Sequence, residues 1–515
     1  MAAANPVLPG FHPDPSICRV GADYYLVTST FEYFPGLPVH HSRDLVNWQL
    51  IGHVLDRPTQ LDLDGVRSSG GLYAPTLRWH DGLFYVVCTL VGSPEDRPGG
   101  NFVVTATDPA GPWSEPVWLG EPDSFDPSLY FADGEAWFCA TRPNPASPVA
   151  GGTEVWVQAF DVATLSLVGP QTVIWHGALV DAVWAEAPHL YRVPDGVLLV
   201  IAEGGTAFHH AVTCARADHV TGPYRNAPTN PVLTHRHLGE RYPVVGAGHA
   251  DLVEAADGTW WAVALAMRTR WADDGYHYPM GRETFLAEVQ WEDGWPVVNP
   301  GIGSLRERQP GLGGAQPSSD YGYSVRDDFS RDSLGPGWSF VRTPRAPIAS
   351  LTERPGWLAL HPQPTSIEDV GCPAFLCRPQ DSWDFTASGV LEFTPRTEFD
   401  VAGIVLRQSE GFSLQLLISV DSAGRRVARA IRRFAGVNEV AAVVPVADGP
   451  LHLSVAGAGL EYHLAVDDVS LAKLDGRGLS SSVAGGFTGT MLGPYAHAPA
   501  GSPIAYWNWF AYRAN

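Results

Sequence analysis

FDPSLYFADGEAWFCA, residues 125–140, is the stretch on which the fold turns. It reads as a strand, a tight turn at Asp133-Gly134 and a second, apolar strand. Glycine supplies the positive φ that a two-residue hairpin needs. The same phrase recurs along the first three-fifths of the chain. Asp81-Gly82 precedes LFYVVCT, Asp195-Gly196 precedes VLLVIAEGG, Asp257-Gly258 precedes TWWAVALAM, and a relative, Gly21-Ala22-Asp23, precedes YYLVTST. A second echo follows each of the first four hairpins: SRDLVNW at 42–48, ATDPAGPW at 106–113, FDVATLSLVG at 160–169 and RADHVTGPY at 216–224. Each unit therefore offers about four strands in ~50–60 residues, the content of one propeller blade. Five units fill residues 1–305 and predict a five-bladed β-propeller. A stack of hairpins in a sandwich would not need to repeat so regularly.

Composition agrees with an all-β chain. Among 515 residues there are 54 Gly, 44 Pro and 18 Trp, a mixture that favours short strands and turns. The formal net charge of −22 repels phosphate backbones, so nucleic acid is not an expected partner. No apolar run approaches the ~18 residues of a membrane span. MAAANPVLPG at the start lacks a basic segment followed by an apolar one, so a cytoplasmic location is expected; a chain whose signal segment had been removed would read the same. The six cysteines show no zinc spacing and are expected to be buried thiols.

Five look-alike segments precede the hairpins: HPDPSI, YAPTLR, FDPSLYF, AEAPHLYR and GHADLVE. In a propeller they fall on the innermost strand of each blade and meet at the axis. Three carry an acid, Asp14, Asp126 and Glu186, at what reads as one repeat position. Carboxylates crowded in one cavity raise one another's pKa, so a protonated acid can persist beside an ionised partner. Glycoside hydrolysis requires that combination. A single Asp there would read as a turn or capping residue; three at matching places read as a site. The loop FEYFPG, with Phe31, Tyr33 and Phe34, is expected to expose aromatic rings for a sugar face, and Tyr73 adjoins Ala74. His249 reads as a metal ligand, a channel hydrogen-bonding residue or, most simply, a packed histidine.

The opening NPVLPGFHPDPSICRVGADYYLVTSTFEYFPGLPVHHSRDLVNWQLIGH resembles glycoside hydrolase family 43, in its two-domain β-xylosidase/α-L-arabinofuranosidase group. So do SGGLYAPTLRWHDG, SFDPSLYF, AEAPHLYR, IAEGGTAFHHAV, NPVLTHRHLG, GHADLVE and GRETFL. The resemblance covers nearly the whole chain. It implies an exo-acting, inverting enzyme in which Asp14 is the base, Glu186 the acid and Asp126 the residue that tunes and orients Glu186. It implies Arg282, Phe31 and Ala74 as lining of the sugar pocket, and His249 as support for a calcium ion in the channel, with waters completing the shell. Xylo-oligosaccharides or arabinoxylan would be the substrates, and a homo-oligomer is compatible with the chain. Relatives often carry Trp where Tyr73 stands, TEGPHLY for AEAPHLY, and Gln before GHAD; these departures leave open whether xylose or arabinose is preferred. A fructan or sucrose hydrolase of similar architecture would carry NDPN, RDP and EC motifs, absent at the corresponding places. A non-catalytic sugar-binding protein would be expected to have lost one axial acid.

Residues 306–325, RERQPGLGGAQPSSDYGYSV, read as a linker. Alternating strands follow, among them FSLQLLISV and LHLSVAGAG, and predict a β-sandwich over 326–515. RDDFSRDSLGPGW and SLTERPGWLALHP resemble the concanavalin-like C-terminal domain of the same group. Either this domain binds sugar, or its segment GGFTGTMLGPYA, residues 485–496, closes the pocket with Phe487 nearest the substrate.

Overall fold

The computed structural model describes residues 3–120, 123–179, 181, 183–309 and 324–515. Five antiparallel sheets, three of four strands and two of five, form the first body, each with its innermost strand at one of the look-alike segments. Blade one is Ser16–Val20, Asp23–Val27, Gly36–Ser42 and Gln49–Leu55. Blades two to five begin with Thr76–His80, Phe125–Ala132, Glu186–Val193 and Val244–Glu254. The apolar faces pack between neighbouring blades. Val39 and Val86 join blades one and two, Val87 and Phe138 two and three, Val155 and Leu199 three and four. Leu198 and Ala264 join four and five, and Leu26 and Val263 close five onto one. The result is a five-bladed β-propeller.

The hairpin chemistry follows the sequence at Asp81-Gly82 and Asp133-Gly134, where both residues have positive φ, as a type I′ turn requires. It differs at Asp195-Gly196. Val193 pairs with Gly196, so the turn is Pro194-Asp195 and the glycine already belongs to the next strand. The ring is closed by the N-terminal segment. Ala3–Ala4 pairs with Arg308–Gln309, and the Val7 amide donates to the Thr284 carbonyl of blade five at 2.9 Å.

The second body is a sandwich of two eight-stranded sheets. Leu416, Leu453, Leu492 and Trp507 are among the side chains buried between them. Paired strands enter the expected linker from both ends, at Arg308–Gln309 and at Ser324–Asp327, the latter on Ala505–Ala514; residues 310–323 lie outside the described residues. One strand of the sandwich comes from the propeller: Tyr33–Phe34 pairs with Ser339–Val341. Tyr33 and Phe34 are therefore buried in the seam between the bodies, and Phe31 is buried as well, contrary to the expectation that FEYFPG exposes its rings. The cysteines are free thiols, all but Cys372 buried. Among the described residues no helix is long and apolar enough to cross a membrane.

Candidate active site

A backbone irregularity brings the acids to the axis. In blades three, four and five the first strand loses register with its neighbour at Phe125/Ser128, Glu186/His189 and Gly248/Ala250. Asp126, Ala187 and His249 sit in these bulges with φ of 51°, 53° and 49°, and Asp14, ahead of blade one, has φ 54°. Bulges re-aim side chains and recur beside functional sites. Positive φ also shows that the three acids do not share one repeat position. Asp14-Pro15 and Asp126-Pro127 correspond to Ala187-Pro188, so Glu186 stands one residue earlier, still paired with Ala202.

The three carboxyls have different surroundings. Asp14 is buried. Its Oδ2 accepts from the Ser29 hydroxyl at 2.6 Å, and its Oδ1 lies 3.4 Å from Arg282 Nη1 and 3.6 Å from His249 Nδ1. Burial opposes its ionisation, but Arg282, His249 and Ser29 together outweigh burial and hold its pKa below the usual carboxylate value. Glu186 has no such partners: burial and the Asp14 charge push it up to about 8, with Arg282 opposing. Asp126 is raised well above its ordinary value by burial, then by Glu186 and Asp14. At neutral pH the pocket thus holds an ionised Asp14 and a protonated Glu186. The Asp14 charge thus acts on both other carboxyls, and Glu186 and Asp126 act on each other.

Arg282, from blade five, donates to the Thr206 hydroxyl at 2.7 Å and to the Phe487 carbonyl at 3.0 Å. Phe31, Tyr73 and Phe487 form an aromatic group, with ring centroids 5.4 Å, 5.7 Å and 6.0 Å apart. The Arg282 guanidinium lies 5.5 Å from the Phe31 ring and 5.2 Å from that of Phe487. Ala74 is buried beside Tyr73, its backbone hydrogen-bonded to Asp126. Phe487 comes from the sandwich, and its amide donates to Ser69 Oγ at 2.8 Å. The second body therefore supplies part of the pocket wall. Asp14 is thus linked directly to Arg282 and His249.

Sequence reasoning missed the residues that hold this wall. Glu32, fully buried, accepts from the Ser69 amide at 3.0 Å and lies 3.4 Å from Arg407 of the sandwich. Arg407 also donates to the Tyr33 hydroxyl at 3.0 Å and to Ser68 at 2.9 Å. Arg407 also pairs with Glu410 at 2.9 Å, itself held by Arg342; Phe31 precedes Glu32 and Ser69 carries Phe487, so this buried network braces both rings. Removing one member of a buried pair strands the other charge, at a cost of about 3–5 kcal/mol. Arg407→Met is expected to lower stability by that much in denaturant unfolding, with part of the loss recovered in the double variant with Glu32→Gln. Thr206 and His210 were also missed, although both lie in the quoted IAEGGTAFHHAV. His210 is buried near Asp14, His249 and Arg282, held neutral by burial, and its Nε2 has no hydrogen-bond partner.

The surroundings of His249 do not fit a protein-built calcium site. Calcium takes about six to eight oxygen ligands. Here His249 offers one nitrogen, and the neighbouring Asp14 carboxylate is engaged by Ser29 and Arg282. Asp251 is engaged by Ser16, Arg78 and Tyr191. Among the described residues no three His, Cys, Asp or Glu side chains are grouped to hold a metal.

Comparison with known proteins agrees with this geometry. Residues 3–296 match the model of glycosyl hydrolases family 43, and residues 326–513 match that of the β-xylosidase C-terminal concanavalin A-like domain. A xylosidase/arabinosidase of Butyrivibrio fibrisolvens is 41% identical over 506 residues, 96% of this chain and 95% of that one. A non-reducing end α-L-arabinofuranosidase of Bacteroides ovatus is 40% identical over 525 residues, 99% of this chain and 94% of that one. Among solved structures, a xylan β-1,4-xylosidase from Bacillus halodurans superposes with a TM-score of 0.91 at 32% identity, covering 99% of this chain and 100% of that one. The chain belongs to glycosyl hydrolases family 43 and is a glycosidase, an enzyme that hydrolyses O-glycosyl bonds.

Proposed function

We propose that the enzyme is an exo-acting, inverting pentosidase. It releases xylose from the non-reducing end of xylo-oligosaccharides, L-arabinofuranose from arabinoxylan, or both. The observation that carries this reading is the pairing of an ionised Asp14 with a protonated Glu186 in one buried pocket. Asp14 takes a proton from water as the water oxygen bonds to the anomeric carbon. Glu186 gives its proton to the glycosidic oxygen as the bond to that oxygen breaks. The anomeric centre inverts, and solvent then returns Glu186 to its acid form and Asp14 to its base form. Asp126 is a positioning residue: held by the Ala74 backbone and interacting with the Glu186 carboxyl, it tunes the pKa of Glu186 and orients it.

The walls favour a small terminal sugar. Tyr73 and Phe487, both half-buried, offer ring surface to a C–H face with the buried Phe31 packed behind them, while Arg282 and His210 offer polar contacts to hydroxyls. The relatives' names cover both xylosides and arabinosides, and the paired assay is turnover of aryl β-xyloside against aryl α-L-arabinofuranoside. Hydrolysis of at least one supports the pentosidase reading; hydrolysis of neither contradicts it.

A further inference from the structure

Trp184 stands two residues before Glu186, and its side chain is 44% exposed. Single exposed apolar residues are ordinary, but the backbone here is not. Its φ is 52°, a region that bulky side chains avoid and that persists where surroundings enforce it, commonly at functional sites. The Trp184 amide donates to the Gly151 carbonyl at 2.8 Å, and the Gly204 amide donates to the Val183 carbonyl at 2.9 Å. The indole rests against two glycines from different blades. A Cβ at Gly151 would fall 2.9 Å from the indole Nε1, and one at Gly205 would fall 3.3 Å from Cδ1. Both glycines have positive φ, 79° and 74°. The structure thus seats one side of an aromatic ring and leaves the remainder in solvent.

The position of the seat suggests its use. Gly205 is followed by Thr206, which holds Arg282, and Trp184 is followed closely by Glu186. Both neighbours belong to the pocket, and the exposed indole seated on Gly205 stands one residue from Thr206 and two from Glu186. It is on the side of the acid, whose proton goes to the leaving-group oxygen. The terminal sugar is enclosed deeper, by Phe31, Tyr73 and Phe487.

We infer that Trp184 is the platform for the leaving-group sugar, which stacks an apolar C–H face on the indole. This rests on the pentosidase reading above and adds a specificity-determining residue to it: Trp184 favours oligosaccharides over donors without a second sugar.

The test compares wild type, Trp184→Ala and Trp184→Phe on two donors of the pentose that wild type accepts. One is the pentosyl fluoride, which has no leaving-group sugar; the other is the pentose linked to a xylose chain, such as xylotriose. Trp184→Ala is expected to lose about 10-fold in kcat/KM on the oligosaccharide, chiefly through KM, and at most about 2-fold on the fluoride. Trp184→Phe should recover most of the loss. Equal losses on both donors would mark a structural role and overturn the inference, as would an unchanged oligosaccharide rate. A wild type that hydrolyses neither donor would overturn the pentosidase reading itself, and the inference with it.

Discussion

Glu186→Gln is expected to lower kcat/KM on xylo-oligosaccharides by about 10³–10⁴-fold, at the upper end of what a positioned general acid contributes. The amide keeps the shape of the side chain but has no proton to give a departing sugar alkoxide. The loss should shrink to about 10-fold or less on a nitrophenyl glycoside, whose leaving group needs little protonation. The pH profile should change too. In wild type, activity falls as pH rises through the carboxyl's pKa of about 8, and the variant should lack that alkaline limb. Stability supplies an independent sign. The folded-state pKa lies above the unfolded value, so the carboxyl's contribution is complete below about pH 4.5 and is lost as pH rises through 8. The glutamine does not titrate, so the variant should melt above wild type at pH 8 and the two should converge near pH 4. Part of the Glu186 surface faces the open pocket, and water there moderates the effect.

Asp14→Asn is expected to cost a similar factor, about 10³–10⁴, but with a different pattern. The base acts on water, not on the leaving group. Nitrophenyl glycosides and oligosaccharides should therefore lose equally, and KM should move little. Asp14 sets the acid limb. Its pKa is lowered by Arg282, His249 and Ser29 against the effect of burial, so the acid limb should lie below the ordinary aspartate value, with activity falling as pH drops through that depressed pKa. The variant's residual activity should show no such limb. The stability sign is opposite to that of Glu186: a depressed pKa contributes stability above the unfolded value, and this is lost as pH falls.

Much of this was legible in the chain because it is locally encoded. Asp-Gly pairs mark the hairpins even where, as at Asp195-Gly196, the turn itself is shifted by a residue, and a phrase repeated five times dictates a ring. The acids were legible for the same reason. Their exact register was not: the shared proline aligns Ala187, not Glu186, with Asp14 and Asp126, and the left-handed φ at those three positions made the offset visible. The proline spacing alone could have revealed it. FEYFPG misled because an aromatic loop beside Pro-Gly looks exposed until a second body covers it; Tyr33 and Phe34 complete a sheet whose partner strand lies some three hundred residues later. Glu32 and Arg407 share that difficulty. Nothing near either in sequence signals a partner 375 residues away. Phe487 became legible only through resemblance, since a short Gly-rich loop has no periodicity to point it toward the propeller.

The central claim is a single displacement by water, activated by Asp14 while Glu186 protonates the leaving group. Its most direct test is the configuration of the first sugar released, followed by ¹H NMR with enough enzyme to outrun mutarotation. From a β-1,4-xylo-oligosaccharide the account predicts α-xylose first, with the β anomer growing in later. The β anomer appearing first would contradict it.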